Sequence, residues 1–318
     1  MLFGMTFYQI LFYFAVYSVG GWCVEVFYHA LCCGTIVNRG FLNGPVCPIY
    51  GCGALSIFAM TNLIGNYVTK SSGRVEDTNL AVLFLGGMLL ATLIELIGGY
   101  VLDALFHMRW WDYSKQPYNF RGYICLKFSV LWGMGAAFVI RVLQPGIRNF
   151  LEKAAAPFFI WIYLALFYIL FFIDLVITVL SINKMNRELA ELEGIRKSLR
   201  RLSDGMTEAI GKTSQVIGES QVQAALAKAE LRDAVTEKRD EYREAMDKKK
   251  AEYRDGLNRK MEEYQARTAE LYREFAKRGL FGPGRILRAF PEMIHHDYED
   301  ALEMIRKKLD EKETNKAS

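Results

Sequence analysis

Residues 157–182 read PFFIWIYLALFYILFFIDLVITVLSI, and this run decides how the whole chain is interpreted. Asp174 is its only charged residue, and no charge occurs from Ala154 through Ile173. Because a helix rises about 1.5 Å per residue, roughly 20 apolar residues cross the ~30 Å hydrocarbon core of a bilayer. Such length without a polar stripe is typical of a membrane span and not of a soluble core helix. The run therefore predicts a transmembrane helix.

Four more apolar stretches of similar length precede it, at residues 7–30, 45–68, 80–106 and 124–143. The chain has no charge from Gly40 through Thr69, which makes the second stretch as clear as the last. The first stretch has neither a basic segment before it nor a small-residue cleavage site, so we expect a retained span and not a signal peptide. The predicted fold class is all-α, a polytopic membrane helical bundle of five spans.

The mean composition hides a difference between an apolar first part of the chain and a charged second part. Residues 1–182 hold 10 of the 39 Lys and Arg and 8 of the 35 Asp and Glu, so the other 136 residues carry most of the charge. Such an asymmetry predicts a transmembrane domain over 1–182 and a water-exposed region after it. We divide that region into a helical or coiled-coil segment, 183–281, and a short closing helix, 282–318, after the Gly282-Pro283-Gly284 break.

The charged tail shows a thin, tyrosine-rich stripe at near-heptad spacing between about residues 221 and 276. It favours a coiled coil or helical hairpin, with a solvated single helix as the alternative. Arg285, Arg288 and Phe290 follow the break, where contact with anionic lipid and packing on the coil are both open. No part of the tail indicates catalysis or nucleic-acid binding.

Lys and Arg in short loops predict the orientation, because they are retained on the cytoplasmic side. With five spans and the C-terminus inside, eleven basic residues fall inside and five outside. The sequence therefore predicts an external N-terminus and a cytoplasmic C-terminus.

An internal match links two hairpins. Arg39-Gly40-Phe41-Leu42 is followed by Tyr50-Gly51 and Gly53-Ala54, and Arg121-Gly122-Tyr123-Ile124 is followed at the same offsets by Trp132-Gly133 and Gly135-Ala136. A span with an acid inside it precedes each block, with Glu25 in one and Glu95 in the other. We interpret this as a duplicated hairpin, a parallel repeat about an axis along the membrane normal, with chance similarity of aromatic and small residues as the alternative.

The same residues resemble a known family, the bacterial five-span ABC-transporter permease proteins (CmpB-like, ABC-transporter type IV). The resemblance lies in GWCVE (21–25), NRGFLNGPVCPIYG (38–51), WDYS (111–114) and NFRGYICL (119–126). It implies a bacterial inner-membrane protein named as a transporter component, and it covers most of residues 5–180.

Acids within spans are the candidates for chemistry, because an ionised group in hydrocarbon normally faces a cavity or a partner. They are Glu25, Glu95 and Asp174, with Arg39 and Arg121 as the natural partners of the two Glu. The arginines permit two readings: a structural Glu–Arg lock, or a substrate, ion or proton site.

Three further residues join this candidate site. His29 lies one turn after Glu25, Asn38 precedes Arg39, and Asp112 lies with Arg121 in the third loop. We expect Asp112 and Arg121 to line the site and Trp110 to belong to an interfacial aromatic belt.

The sequence predicts neither a cofactor nor a metal. The six cysteines match no zinc spacing, and Gly211-Lys212-Thr213 lacks the first glycine of a phosphate-binding loop, since that position is Met206. We also predict no catalytic constellation and therefore no enzyme.

The leading hypothesis is a permease-like component whose polar site comprises Glu25, Glu95, Arg39 and Arg121. Its partners would be the lipid bilayer, a separate ATPase subunit and a second copy of the chain bound through the tail. The alternative is a membrane scaffold or signalling protein whose tail binds a partner and whose acid–arginine pairs are structural. An intramembrane enzyme acting on a lipid is a third reading.

Overall fold

The computed structural model describes residues 4–68, 75–153, 157–226, 232–276 and 282–317. The helices within these ranges are α1 (Phe7–Cys33), α2 (Pro48–Val68), α3 (Leu80–Phe106), α4 (Leu126–Phe138), α5 (Gln144–Lys153), α6 (Pro157–Leu226), α7 (Arg232–Ala276), α8 (Pro283–Ala289) and α9 (Glu299–Ala317). Two short antiparallel pairs accompany them: β1 (Met108–Arg109) with β4 (Ile294–His295), and β2 (Asn119–Phe120) with β3 (Ile124–Cys125). The all-α prediction is confirmed in this coarse form.

Four helices of the described chain are long and apolar enough to cross a membrane: Phe7–Cys32, Leu80–Phe106, Leu126–Lys153 and Phe158–Gly205. The second predicted span is a shorter apolar helix over Pro48–Ile64, and its start is Pro48 instead of residue 45. Proline is suited to the first helical turn, where its missing N–H costs no hydrogen bond. The multi-pass membrane prediction holds, and the number of five spans stays a prediction.

Local chemistry accounts for several helix limits. The Thr6 hydroxyl accepts from the Gln9 amide at 3.3 Å, and the Gln9 side chain accepts in turn from the Thr6 amide at 2.9 Å, a capping box that starts α1. At α3, Asn79 accepts from the Ala81 amide at 2.8 Å, and His107 ends the helix in the left-handed conformation. A π-helical turn over Val139–Leu143 joins α4 to α5.

The chain forms two compact units. One combines Met1–Asn186 with Phe275–Glu299, and the other combines Arg187–Glu274 with Asp300–Ser318. A return of the chain to the first unit at Phe275–Glu299 was not part of the sequence prediction. The domain boundaries proposed at residues 182 and 282 stay predictions.

In the first unit, α1 packs on α2, α3 on α4, and α2 on α3. Its core is rich in aromatic and aliphatic side chains, including Phe12, Tyr13, Phe58, Leu83 and Leu164. The apolar part of α6 nevertheless leaves large side chains such as Phe158, Phe172 and Leu180 more than half exposed. A contiguous exposed apolar surface of this kind suits a lipid environment.

The second unit is helical. In it the Arg267 guanidinium contacts the Glu191 carboxylate at 2.9 Å, and the Tyr264 hydroxyl lies 2.7 Å from the Met304 sulfur. These contacts bring together α6, α7 and α9. The coiled coil stays a prediction.

Candidate functional site

The first acid, Glu25, lies in α1 with a neutral and a charged neighbour. The Tyr50 hydroxyl donates to Glu25 Oε1 at 2.7 Å, and Arg39 Nε lies 3.9 Å from Glu25 Oε2. The Glu25 and Arg39 side chains are 26% and 27% exposed, so this ion pair is long and partly solvated. The structure thus places Arg39 beside Glu25, as expected for the first hairpin.

The second acid, Glu95, is more deeply buried, with 6% of its surface exposed. The Tyr113 hydroxyl donates to Oε1 at 3.1 Å, and the Trp132 indole donates to Oε2 at 3.0 Å. Burial and then the negative charge of Glu95 raise the pKa of Tyr113, so the phenol keeps its proton and remains a donor. Both carboxylate oxygens therefore have hydrogen bonds, and both of these donors are neutral.

Arg121 does not pair with Glu95 as the sequence suggested. Its side chain is exposed, and its Nη1 lies 3.5 Å from the Tyr100 hydroxyl, while its guanidinium carbon is 5.9 Å from the centre of the Phe120 ring. The reason is the backbone, because Arg121 has φ 51° and Gly122 has φ 73°. With this left-handed turn, Arg121 lies beside Tyr100 of α3 and not beside Glu95, and Tyr113 takes the predicted place next to Glu95.

Tyr50, which donates to Glu25, is in contact with Trp132, which donates to Glu95. The rings of Tyr50 and Trp132 meet edge to face, with centroids 5.7 Å apart and planes at 83°. A continuous polar and aromatic path therefore runs from Glu25 through Tyr50 and Trp132 to Glu95. We call these four residues the paired-acid site.

Close helix contacts recur in the two hairpins. A Cβ on Gly51 of α2 would lie 2.9 Å from the Phe14 carbonyl oxygen of α1, and one on Gly133 of α4 would lie 2.8 Å from the Phe84 carbonyl oxygen of α3. Phe14 and Phe84 are 70 residues apart, as are Glu25 and Glu95. The facing residues, Gly51 and Gly133, are 82 apart, as are Tyr50 and Trp132. Similar close contacts thus occur at matching sequence offsets in the two hairpins.

Asp174 of α6 has a different environment from the two glutamates. Its Oδ1 accepts from the Asn43 backbone amide at 3.2 Å and the Asn43 side-chain amide at 3.0 Å. Its Oδ2 accepts from the Gly44 amide at 2.7 Å. Asp174 therefore holds the end of the first loop, which is a structural contact outside the paired-acid site.

Asn38 organises the same loop. Its side-chain oxygen accepts from the Trp22 indole at 2.8 Å and from the Gly40 amide at 3.0 Å. Its side-chain nitrogen donates to the Asn43 carbonyl at 2.6 Å. These bonds satisfy backbone groups in an irregular segment that has no helix or sheet to pair them.

His29 and Asp112 also make local contacts. His29 is buried, and its Nδ1 lies 2.9 Å from the Thr35 carbonyl, which can only accept, so Nδ1 carries the proton. Asp112 accepts from the Ser114 amide at 3.0 Å and lies 3.4 Å from Arg109 Nη1. Burial raises the pKa of Asp112, but the hydrogen bonds from Ser114 and the Arg109 charge outweigh it and lower the pKa overall.

The sequence reading missed Arg285 as a site residue. Arg285 is 3% exposed, and its guanidinium donates to Asn43 Oδ1 at 3.1 Å, to the Gly40 carbonyl at 2.7 Å and to the Phe41 carbonyl at 2.8 Å. The sequence leaves open contact with anionic lipid or packing on the coil, whereas the structure places Arg285 against the first loop of its own unit. We call these contacts the Arg285 clamp.

Trp110 is a second correction. It is 3% exposed, and its ring meets those of Phe41 at 5.1 Å and Phe290 at 5.0 Å, so it belongs to a buried cluster and not to an interfacial belt. Next to this cluster, Met108 pairs with His295 in the β1–β4 ladder. The segment after α8 is thus attached to the third loop, and the Arg285 clamp attaches α8 to the first.

Within the described residues, no group of three or more His, Cys, Asp or Glu side chains could hold a metal ion. The paired-acid site itself offers two carboxyl groups, the Tyr50 phenol and the Trp132 indole, with the Arg39 guanidinium 3.9 Å from Glu25.

Long apolar helices, exposed apolar side chains and acids within the helices define a multi-pass integral membrane protein. The chain belongs to the family described as "Putative ABC-transporter type IV", whose match covers residues 12–179. This range contains the whole paired-acid site and ends before α8. Comparison with curated proteins and with solved structures finds no match.

Proposed function

We propose that the chain is the membrane-embedded, permease-like component of a transport system, with its polar site at Glu25 and Glu95. The observation that carries this proposal is the contact path of the paired-acid site, in which Tyr50 and Trp132 bring the acids of two hairpins to one helix interface. Family membership supports the transport class.

The burial of Glu95 is the physical reason to propose a site. Ionising a carboxyl group within apolar helices that is bonded only to neutral donors has a considerable desolvation cost, and such residues mark ion, proton or substrate pathways. Glu25 differs, because Arg39 provides a partial counter-charge at 3.9 Å. We therefore place Arg39 in the proposed site and Arg121 outside it.

The recurring contacts of Gly51 and Gly133 support the proposed duplication of the hairpin. In a parallel repeat the two copies run in the same direction, so their acids lie at similar depths and their loops lie at the same end. Such an arrangement gives both hairpins access to one central site.

Topology is part of the proposal. Asp174 and Arg285 contact the first loop, and the segment after α8 pairs with the third loop, which supports placing both loops on the side of the C-terminal region. With the positive-inside bias, we propose five spans in a bacterial inner membrane, an external N-terminus and a cytoplasmic C-terminus.

A permease of this class needs an energy source and enough spans to form a pathway, and both requirements bear on its partners. Because the sequence contains no complete phosphate-binding loop, we propose a separate ATPase subunit. Five spans are few for a transporter, so we propose a homodimer formed through the tail.

The test compares Glu25→Gln and Glu95→Gln with the control Glu152→Gln, whose side chain is 62% exposed. Each full-length protein is purified from native membranes, its thermal unfolding is measured, and co-purifying ATP hydrolysis is assayed. We expect an ATPase with every variant and altered hydrolysis only with the two site variants. A glutamine side chain keeps one oxygen that can accept a hydrogen bond but replaces the other oxygen with an amide NH2 group. The Trp132 indole N–H then faces another donor and loses its acceptor, so we expect Glu95→Gln to lower the free energy of unfolding by about 1–3 kcal/mol.

Two results would reject the proposal. Co-purification of a regulator or enzyme without any ATPase would favour the membrane scaffold. Loss of insertion or of the folded state in both acid variants, with no separate effect on hydrolysis, would leave the acids as a structural lock. The Arg285 clamp is the observation that favours the scaffold as the second candidate, since it bonds α8 to the first loop of the same unit.

A further inference from the structure

The loop between α3 and α4 and the first turn of α4 expose aromatic and basic side chains together. Tyr118 is 83% exposed and Phe120 is 52% exposed, and Arg121 and Lys127 are exposed next to them. We call these four residues the hairpin patch. Exposed aromatic rings beside cations suit the boundary between lipid headgroups and water.

The hairpin that carries the patch is held by its own hydrogen bonds. The Asn119 side chain donates to the Gln116 carbonyl at 2.8 Å and accepts from the Gly122 amide at 3.1 Å. The Tyr113 amide donates to the Gly122 carbonyl at 2.8 Å. These hydrogen bonds hold the backbone of the hairpin in one conformation, so the patch is a preformed surface.

The position of the hairpin places the patch at the level of the headgroups. Helix α3 ends at Phe106 and α4 begins at Leu126, and both are long enough, α4 together with α5, to cross the bilayer. A segment that joins the ends of two membrane helices lies where the hydrocarbon core gives way to headgroups.

The charge on this surface has one sign. Residues 113–127 contain Lys115, Arg121 and Lys127 and no acid. The nearest acid in sequence, Asp112, already accepts a hydrogen bond from the Ser114 amide and pairs with Arg109. An anion approaching the patch therefore meets positive charge that no neighbouring carboxylate in this segment neutralises.

We propose that the hairpin patch binds anionic phospholipid headgroups of the cytoplasmic leaflet. Arg121 and Lys127 would contact the lipid phosphate, and Tyr118 and Phe120 would insert their rings between headgroups. The proposal depends on the inside orientation of this loop and is independent of whether the protein transports a substrate.

The experiment uses the purified full-length chain and measures binding of phosphatidylglycerol, with phosphatidylcholine as the neutral lipid. Each basic residue near an anionic surface contributes about a factor of five in affinity, so Arg121→Gln with Lys127→Gln should weaken phosphatidylglycerol binding roughly 25-fold. Tyr118→Ser with Phe120→Ser should weaken binding of both lipids. The control is Arg141→Gln with Lys153→Gln, which removes the same charge from exposed positions beyond the C-terminal end of α4.

An unchanged affinity in the basic variant, or an equal loss in the charge-matched control, would overturn the proposal. Competition by millimolar inorganic phosphate would also overturn it, because the site would then recognise a soluble anion. Thermal unfolding of each variant is measured alongside, and the aromatic variant provides the second test if the basic variant does not fold.

Discussion

Replacing Arg285 by lysine tests a buried set of polar contacts that holds the first loop. The guanidinium donates through three nitrogens to the Asn43 side chain and to the Gly40 and Phe41 carbonyls. Lysine retains the charge, but its single ammonium cannot reach acceptors arranged around a planar fork. We expect two of the three acceptors to lose their donor. Water cannot replace that donor, because Arg285 is only 3% exposed.

The magnitude follows from those lost bonds. A buried polar group left without a partner costs about 1–3 kcal/mol, so two such groups give about 2–6 kcal/mol, and partial relaxation favours the lower half of this range. Burial lowers the pKa of Arg285 to about 10, with Asp174 opposing the shift, so the guanidinium stays protonated between pH 5 and pH 8. The effect of the substitution should therefore be the same across that range.

Hydrogen exchange of the first loop is the direct assay, because the Asn43 and Gly44 amides donate to Asp174 only while this loop keeps its conformation. An opening that becomes easier by about 2 kcal/mol should speed exchange of these amides roughly 30-fold. Arg273→Lys, at an exposed position, is the matched control. Unchanged exchange in Arg285→Lys, or an equal increase in Arg273→Lys, would refute the clamp as a source of loop stability.

Three further predictions concern packing, the paired-acid site and pH. Gly133→Val should destabilise the folded protein by several degrees in thermal unfolding, because its Cβ would lie 2.8 Å from a carbonyl oxygen of the facing helix, whereas Gly135→Val, with open space around it, should have little effect. Trp132→Phe removes one donor from the buried Glu95 carboxylate and should lower the unfolding free energy by about 1–3 kcal/mol, measured by chemical denaturation. Burial lowers the pKa of His295 to about 4, below its usual value of 6.5, so the unfolded state binds a proton first as the pH falls. Stability should therefore decrease between about pH 6.5 and pH 4 and less so in His295→Asn, and parallel pH profiles of the two proteins would contradict this assignment.

The helices were predictable because their signals are local. The apolar run 80–106 has a capping asparagine before it and a left-handed residue after it, and the helix occupies the same residues, Leu80–Phe106. Hydropathy depends on composition over a short window, so no distant contact is needed to recognise it. The start of α2 shifted by three residues, since Pro48 favours the first helical turn and residues 45–47 remain in the loop.

The partners of the candidate residues were less predictable because they lie far away in sequence. Arg285 contacts Asn43 across 242 positions, and no local pattern around either residue encodes that pairing. Arg121 follows Glu95 in the same hairpin, but a left-handed turn determines where its side chain points. Trp110 shows a third limit, because a tryptophan at a membrane interface and one in a buried cluster have the same sequence signature.

The two hairpins differ in the length of chain between the acid and the arginine. Fourteen positions separate Glu25 from Arg39, and 26 separate Glu95 from Arg121. The longer connection contains Tyr113, which donates to Glu95 where the shorter one brings a guanidinium to Glu25. Similar helical scaffolds thus hold two chemically unequal carboxylates, one next to a fixed positive charge and one held by neutral donors. Exchanging the two loops would exchange the electrostatic character of the acids without altering the helices that carry them.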